Sequence, residues 1–175
     1  MTHTGYVHLY TGNGKGKTTA ALGLALRVAG SGGRTRMIQF MKGRHYSELD
    51  AVKRLQGLIE IEQYGSTELC VPEAGNLAVH RDAARRGLVR AGEAVVDASV
   101  KLVILDEIVT AVYFTLIMLD DVTALLAIRQ PALELVLTGR YAPPLLIEQC
   151  DLVTEMKEIR HYYQAGVEAR KGIEF

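Results

Sequence analysis

The sequence predicts an α/β domain built on a mainly parallel central sheet, and three observations lead there. Short β-rich runs alternate with helical segments from one end of the 175 residues to the other. Two of these runs, Lys101 to Leu105 and Leu133 to Leu137, are almost wholly apolar, as strands buried on both faces are. A glycine-rich turn links the first strand to the first helix, the connection that opens a parallel crossover. No Pro/Ser-rich linker, repeat or low-complexity tract divides the chain, so residues 1–175 are expected to form one domain.

The elements follow in order. Tyr6 to Tyr10 is the first strand, and Thr18 to Ala29 is rich enough in Ala and Leu to favour a helix ending at Gly30. Arg36 to Phe40 is the second strand. A helix is expected from near Ser47, where Ser47-x-x-Asp50 has the spacing of a capping box. Ile59 to Tyr64 is the third strand, and Gly65 to Gly75, with Ser66, Thr67 and Pro72, has the composition of a surface loop. Leu77, His80, Ala84, Leu88, Ala91 and Val95 recur at helical spacing, which predicts a long helix from about Asn76 to Ala98 with Arg81, Arg85, Arg86 and Arg90 on its polar face. After the two apolar strands, Pro143 and Pro144 open a short helix and Leu152 to Met156 is the last strand.

Charge and composition exclude several classes. Lys plus Arg number 20 and Asp plus Glu number 20, so no net field exists to gather a nucleic-acid backbone, while a small anionic ligand fits. The longest apolar stretch, Val109 to Leu119, is broken by Thr and Tyr and falls short of the roughly 18 residues of a membrane span. The first residues carry no basic segment followed by an apolar core, which predicts a cytoplasmic protein. Cys70 and Cys150 are far apart and lack metal-site spacing, so they are expected to be reduced packing residues.

The turn after the first strand reads Thr11-Gly12-Asn13-Gly14-Lys15-Gly16-Lys17-Thr18-Thr19. In a strand, glycine turn, helix context, successive backbone N–H groups and the positive end of the helix point at phosphate oxygens. Lys17 supplies a mobile positive charge and Thr18 a hydroxyl for Mg²⁺. Thr11 stands where the usual phosphate loop has Gly, and Gly12 and Gly14 keep the turn flexible. Leu102-Val103-Ile104-Leu105-Asp106-Glu107 is an apolar strand ending in two acids, which the topology of parallel sheets sets beside such a loop on the metal side. Arg140, after Thr138-Gly139, is positioned to neutralise phosphate. The sequence shows no Cys-His or Ser-His signature, so covalent catalysis by the protein is not supported.

Several segments together resemble one family, the ATP:corrinoid adenosyltransferases of cobalamin biosynthesis and salvage. They are TGNGKGKTTAA from Thr11, QFMKG from Gln39, LVILDEI from Leu102, LELVLTGR from Leu133, and DLVTEM followed by HYYQAGVEARKGIEF. The resemblance implies a P-loop, RecA-like three-layer fold, a homodimer, and transfer of the 5′-deoxyadenosyl group of ATP to a reduced corrinoid substrate with release of triphosphate. It implies that the nucleotide lies along the loop in the opposite polarity to ordinary ATPases, exposing C5′. By matching motif, Gly12, Asn13, Gly14, Lys15, Gly16, Lys17, Thr18 and Thr19 hold phosphates and Mg²⁺ or Mn²⁺, with Asp106 or Glu107 on the metal side. Cobalt(I), supplied by a flavoprotein reductase, is then the nucleophile.

Well-known members carry Gly-Phe-Thr-Trp after the third strand, where this chain has Gly65-Ser66-Thr67-Glu68-Leu69-Cys70 and no Trp anywhere. Phe40 and Tyr64 are the nearest aromatics for the corrinoid side, with core packing the better reading of Phe40. Two other classes compete: a small-molecule kinase using Arg81, Arg85, Arg86 and Arg90, and a non-catalytic carrier of nucleotide or corrinoid.

Overall fold

The computed structural model describes residues 4–68, 70 and 76–175. Six strands, β1 (Val7–Thr11), β2 (Thr35–Phe40), β3 (Ile59–Tyr64), β4 (Leu102–Asp106), β5 (Glu134–Thr138) and β6 (Leu152–Glu155), form one sheet in the order β3-β2-β4-β5-β1-β6. Every pairing is parallel, so all carboxyl ends emerge at one edge. Helices α1 (Lys17–Gly30), α2 (Ser47–Val52), α3 (Leu77–Val95), α4 (Ile108–Tyr113), α5 (Leu119–Ile128) and α6 (Pro144–Glu148) connect them. This is the P-loop nucleoside-triphosphatase type of layered α/β fold.

The period of two along β4 assigns its side chains to two separate cores. Leu102 and Ile104 join Met37, Val136 and the alanines Ala21 and Ala25 of α1. Val103 and Leu105 join Leu9, Ile38, Phe40 and the α3–α5 face. All five residues of β4 are buried, which is why Leu102 to Leu105 read as an unbroken apolar run before Asp106. The α3 helix approaches closely because it presents small residues. A Cβ on Gly87 would lie 2.9 Å from Phe40 Cε1 and 3.0 Å from Tyr64 Cβ.

Element boundaries move by one to three residues from the expected ones, and two readings change. Ser47 does not cap α2. The cap position is Tyr46, without a side-chain bond, and Ser47 Oγ instead donates to the main-chain oxygen of Phe175 (2.9 Å). Helices α4 and α5 occupy a stretch to which the sequence assigned no element, because β-branched Ile108, Val109, Thr110 and Val112 disguise α4. The α3 arginines do not converge on one ligand: Arg86 pairs with Asp82, Arg90 with Glu62 and Glu93, and Arg81 reaches Thr115 O. Of the expected loop Gly65 to Gly75, Leu69 and residues 71–75 lie outside the described residues. No helix among the described residues is long and apolar enough to cross a membrane.

Candidate functional site

A cleft of about 520 Å³ opens at the carboxyl edge of the sheet, walled by the loop between β1 and α1. Glycines are needed there because the chain passes against the segment after β6. Gly12 has φ 96° and a Cβ on it would lie 2.5 Å from Met156 O, while Gly14 N donates to that same oxygen at 2.7 Å. Gly16, at φ 121°, turns the chain into α1, whose first amides face the cleft.

Lys17 is buried, and its Nζ donates to the carbonyls of Gly12 (2.7 Å) and Gly14 (2.8 Å). Burial is the main cause lowering its pKa, with Arg140 adding to the effect and the acids Glu107 and Asp106 opposing it. Next to it, Thr18 Oγ1 donates to Asp106 Oδ1 at 2.9 Å, joining the loop to the carboxyl end of β4.

Asp106 has no exposed surface and accepts four hydrogen bonds. Thr18 and Thr138 (2.7 Å) donate to Oδ1, and Gln39 (3.2 Å) and Lys42 Nζ (2.8 Å) to Oδ2. Burial disfavours the Lys42 ammonium, yet the charge and hydrogen bond of Asp106, with help from Glu107, outweigh that and raise its pKa. The same ammonium lies 3.4 Å from Thr18 Oγ1, so a cation already bridges the hydroxyl and the carboxylate.

Glu107 sits in left-handed conformation (φ 60°), held by its own N–H on Thr138 Oγ1 (2.9 Å) and by the Thr110 hydroxyl on its carboxylate. Thr110 in turn accepts the Arg140 N–H at 2.9 Å. Gly139 permits this contact, since a Cβ there would lie 2.6 Å from Thr110 N. Glu107 and the Arg140 side chain both line the cleft.

The structure thus brings together nearly all the residues expected from sequence. Asn13, Gly14, Lys15, Gly16, Lys17, Thr18 and Thr19 line the cleft, Gly12 holds the Lys17 ammonium, and Asp106 lies beneath Thr18. One expectation changes and one alternative is decided. Of the two readings of Phe40, corrinoid side or core packing, the structure takes the second: the ring is fully buried between the sheet and α3 and offers no surface to a ligand. The Lys15 ammonium, expected on phosphate, is bonded to Tyr162 OH (2.9 Å), Ile173 O (3.1 Å) and Glu174 Oε1 (2.6 Å). Tyr64 is half-buried and donates to Glu62 Oε2 at 2.9 Å. Sequence reasoning missed Lys42 and the lining by residues 172–175, although QFMKG and ARKGIEF, the runs that contain them, stood out as distinctive.

A glycine loop at a helix N-terminus, with its Thr hydroxyl on the acid that ends a parallel strand of the same sheet one strand removed from β1, defines a protein of the P-loop class. The family model for ATP:corrinoid adenosyltransferases (BtuR/CobO/CobP) matches residues 3–175. The corrinoid adenosyltransferase of Pseudomonas aeruginosa is 33% identical over 171 residues, covering 98% of this chain and 84% of that protein. That of Escherichia coli K12 is 31% identical over 172 residues, covering 98% and 86%. One from a Sinorhizobium species is 34% identical over 173 residues, covering 98% and 80%. The chain belongs to the ATP:corrinoid adenosyltransferases, and ATP-dependent adenosyl transfer to a corrinoid is the activity of that family.

Proposed function

We propose that the cleft binds ATP through its phosphates and presents the ribose C5′ to the cobalt(I) of a reduced corrinoid: cob(I)alamin, cobinamide or cobyrinic acid diamide. The observation that carries this reading is the Thr18–Asp106 hydrogen bond at 2.9 Å, which joins the phosphate loop to the acid of β4 in a chain of this family. A cobalt–carbon bond forms as the C5′–oxygen bond breaks, and the electron pair leaves on triphosphate. The protein's part is to position the two reactants and to stabilise the anion that grows on the leaving group. Lys17 and Arg140 supply positive charge, the amides from Asn13 to Thr19 supply donors, and the nucleotide displaces the Lys17 ammonium from its own loop carbonyls.

Hard oxygen donors suit Mg²⁺ or Mn²⁺, and the Lys42 ammonium within reach of Asp106 and Thr18 supports a cation at these oxygens. Thr18, with Asp106 or Glu107, would hold the metal ion, whose charge would offset that of the triphosphate. We place Tyr64, at the cleft-side end of β3, on the corrinoid side. We also propose one domain over residues 1–175, a homodimer, a flavoprotein reductase as the source of cobalt(I), and a cytoplasmic setting in keeping with the free thiols of Cys70 and Cys150.

The test is the product profile with MgATP and chemically reduced corrinoid. Triphosphate with adenosylcorrinoid is the expected outcome. ADP would establish a kinase instead, and unchanged ATP a carrier.

A further inference from the structure

The three N–H groups of the Lys15 ammonium are all engaged by residues 162–174, and this bears on how the nucleotide cleft is built. Glu174 is the hub. Its carboxylate accepts from Lys15 (2.6 Å), from the Tyr162 hydroxyl and from Arg170 N (2.7 Å), and the Arg170 guanidinium lies over the Tyr162 ring at 4.8 Å. Lys15 and Tyr162 hold the Glu174 carboxyl well below the usual carboxylate range. Nearby, Gly172 N donates to the Phe175 main-chain oxygen (2.6 Å), which also accepts from Ser47 of α2 (2.9 Å). The segment is therefore fastened at two points, one on the phosphate loop and one on α2. Between those points, Gly172, Ile173, Glu174 and Phe175 form a wall of the cleft, with Leu22 and Tyr46 also lining it.

We infer that Lys15 and Glu174 are positioning residues that latch segment 161–175 onto the phosphate loop, completing the nucleotide site, and that Lys15 is not a phosphate ligand. The inference rests on the nucleotide reading of the cleft. Its logic is one of occupancy: an ammonium whose three donors are spent on a carboxylate, a hydroxyl and a carbonyl has none left for a triphosphate oxygen. Lys17 and Arg140, in the same cleft, remain for that task.

The two roles for Lys15 give opposite signs when Glu174 is changed. Glu174→Gln keeps the Lys15 charge and removes the latch. As a latch, it should raise KM for ATP by about five- to tenfold, the scale of losing a charge-assisted bond, with kcat at saturating ATP within about twofold. If Lys15 were a phosphate ligand restrained by Glu174, the same change would free it and ATP would bind as well or better, which overturns the inference. Lys15→Met, which also loses the Tyr162 and Ile173 contacts, should cost at least as much as Glu174→Gln, and the double variant should cost less than the sum of the two, since both break the Lys15–Glu174 bond. Additive losses would also overturn it.

Hydrogen exchange of the unaltered protein supplies a measurement independent of variant folding: ATP should slow exchange across residues 170–175, and unchanged exchange with ATP bound would refute the wall. Failure of the nucleotide reading is told apart, because there the unaltered protein itself would not bind ATP.

Discussion

Lys42→Met tests the polar cluster beneath the phosphate loop. Asp106 has no exposed surface and the Lys42 side chain is 14% exposed, so the pair at 2.8 Å is shielded from water. Stripping one partner from a buried ion pair costs about 3–5 kcal/mol, because the other charge is left uncompensated. Asp106 keeps the Thr18, Thr138 and Gln39 donors, and these bonds to a charged acceptor ease the loss. The expected destabilisation is therefore about 2–3 kcal/mol. For a chain of this size that lowers Tm by about 4–12 °C.

Urea unfolding at neutral pH without nucleotide measures it. The dependence on pH has a definite sign. The folded pKa of Lys42 is raised above its ordinary value of 10.5, so its stabilisation is fully present below that value and is lost as pH rises through the raised one. The gap between Lys42→Met and the unaltered protein should then hold steady as the pH approaches 10.5 from neutrality and close above it. Combining the change with Asp106→Asn should cost less than the sum of the two, since the second removes the charge that the first left unpaired. A Lys42→Met protein within about 0.5 kcal/mol of the original, the range of an ordinary surface change, would refute the reasoning.

Lys17→Ala should lower adenosyl transfer by at least about a hundredfold, the scale of losing one group that stabilises a developing anion, and near-normal turnover in the folded variant would remove the phosphate-loop reading. Transfer should require Mg²⁺ or Mn²⁺, with Asp106→Asn and Glu107→Gln differing in effect and the direct ligand costing more; full rate in Mg²⁺ for both variants would contradict a metal role for the pair. Burial, and then the charge of Asp151, push the Cys150 thiol from 9.0 to about 11, so iodoacetamide should modify it about a hundredfold more slowly at pH 8 than an unperturbed thiol. Mass spectrometry of the alkylated peptide checks this, and rapid labelling would show that the thiol is not shielded.

The parts of the site that were legible in the sequence are those written locally. Gly12 to Thr19 lie on one turn, and the strand ending in Asp106 and Glu107 announces its acids by what precedes them. Gly139 and Arg140 follow the same logic at the end of β5. Lys42 could not be read this way, because its role depends on strand order. Gln39 of β2 pairs with Asp106 of β4 across 67 positions of sequence, and only that neighbour relation brings the residue three places on from Gln39 to the same carboxylate. Phe40 kept two readings, ligand side and core, for a related reason. Its strand position was legible, but the small residues of α3 that cover it lie more than 40 positions away, and Gly87 gives no hint of the ring beneath it.

The same dependence on topology separates the two lysines of the loop. From sequence alone Lys15 and Lys17 are both cations on a phosphate-binding turn, although Gly16-Lys17-Thr18 singles out Lys17. Their surroundings differ because α1 begins at Lys17, which directs that side chain inward toward the loop carbonyls of Gly12 and Gly14. Lys15 stands outside the helix and meets Glu174 instead, 159 positions along the chain. β6 is the cause of that meeting. It pairs with β1 at the edge of the sheet and delivers Met156 against Gly12 and Gly14, so the chain leaving β6 starts out alongside the phosphate loop. A tail that begins there can reach Lys15 with the carboxylate of Glu174. The strand register, more than any motif, therefore gives one lysine an open cleft to serve and the other a partner within the protein.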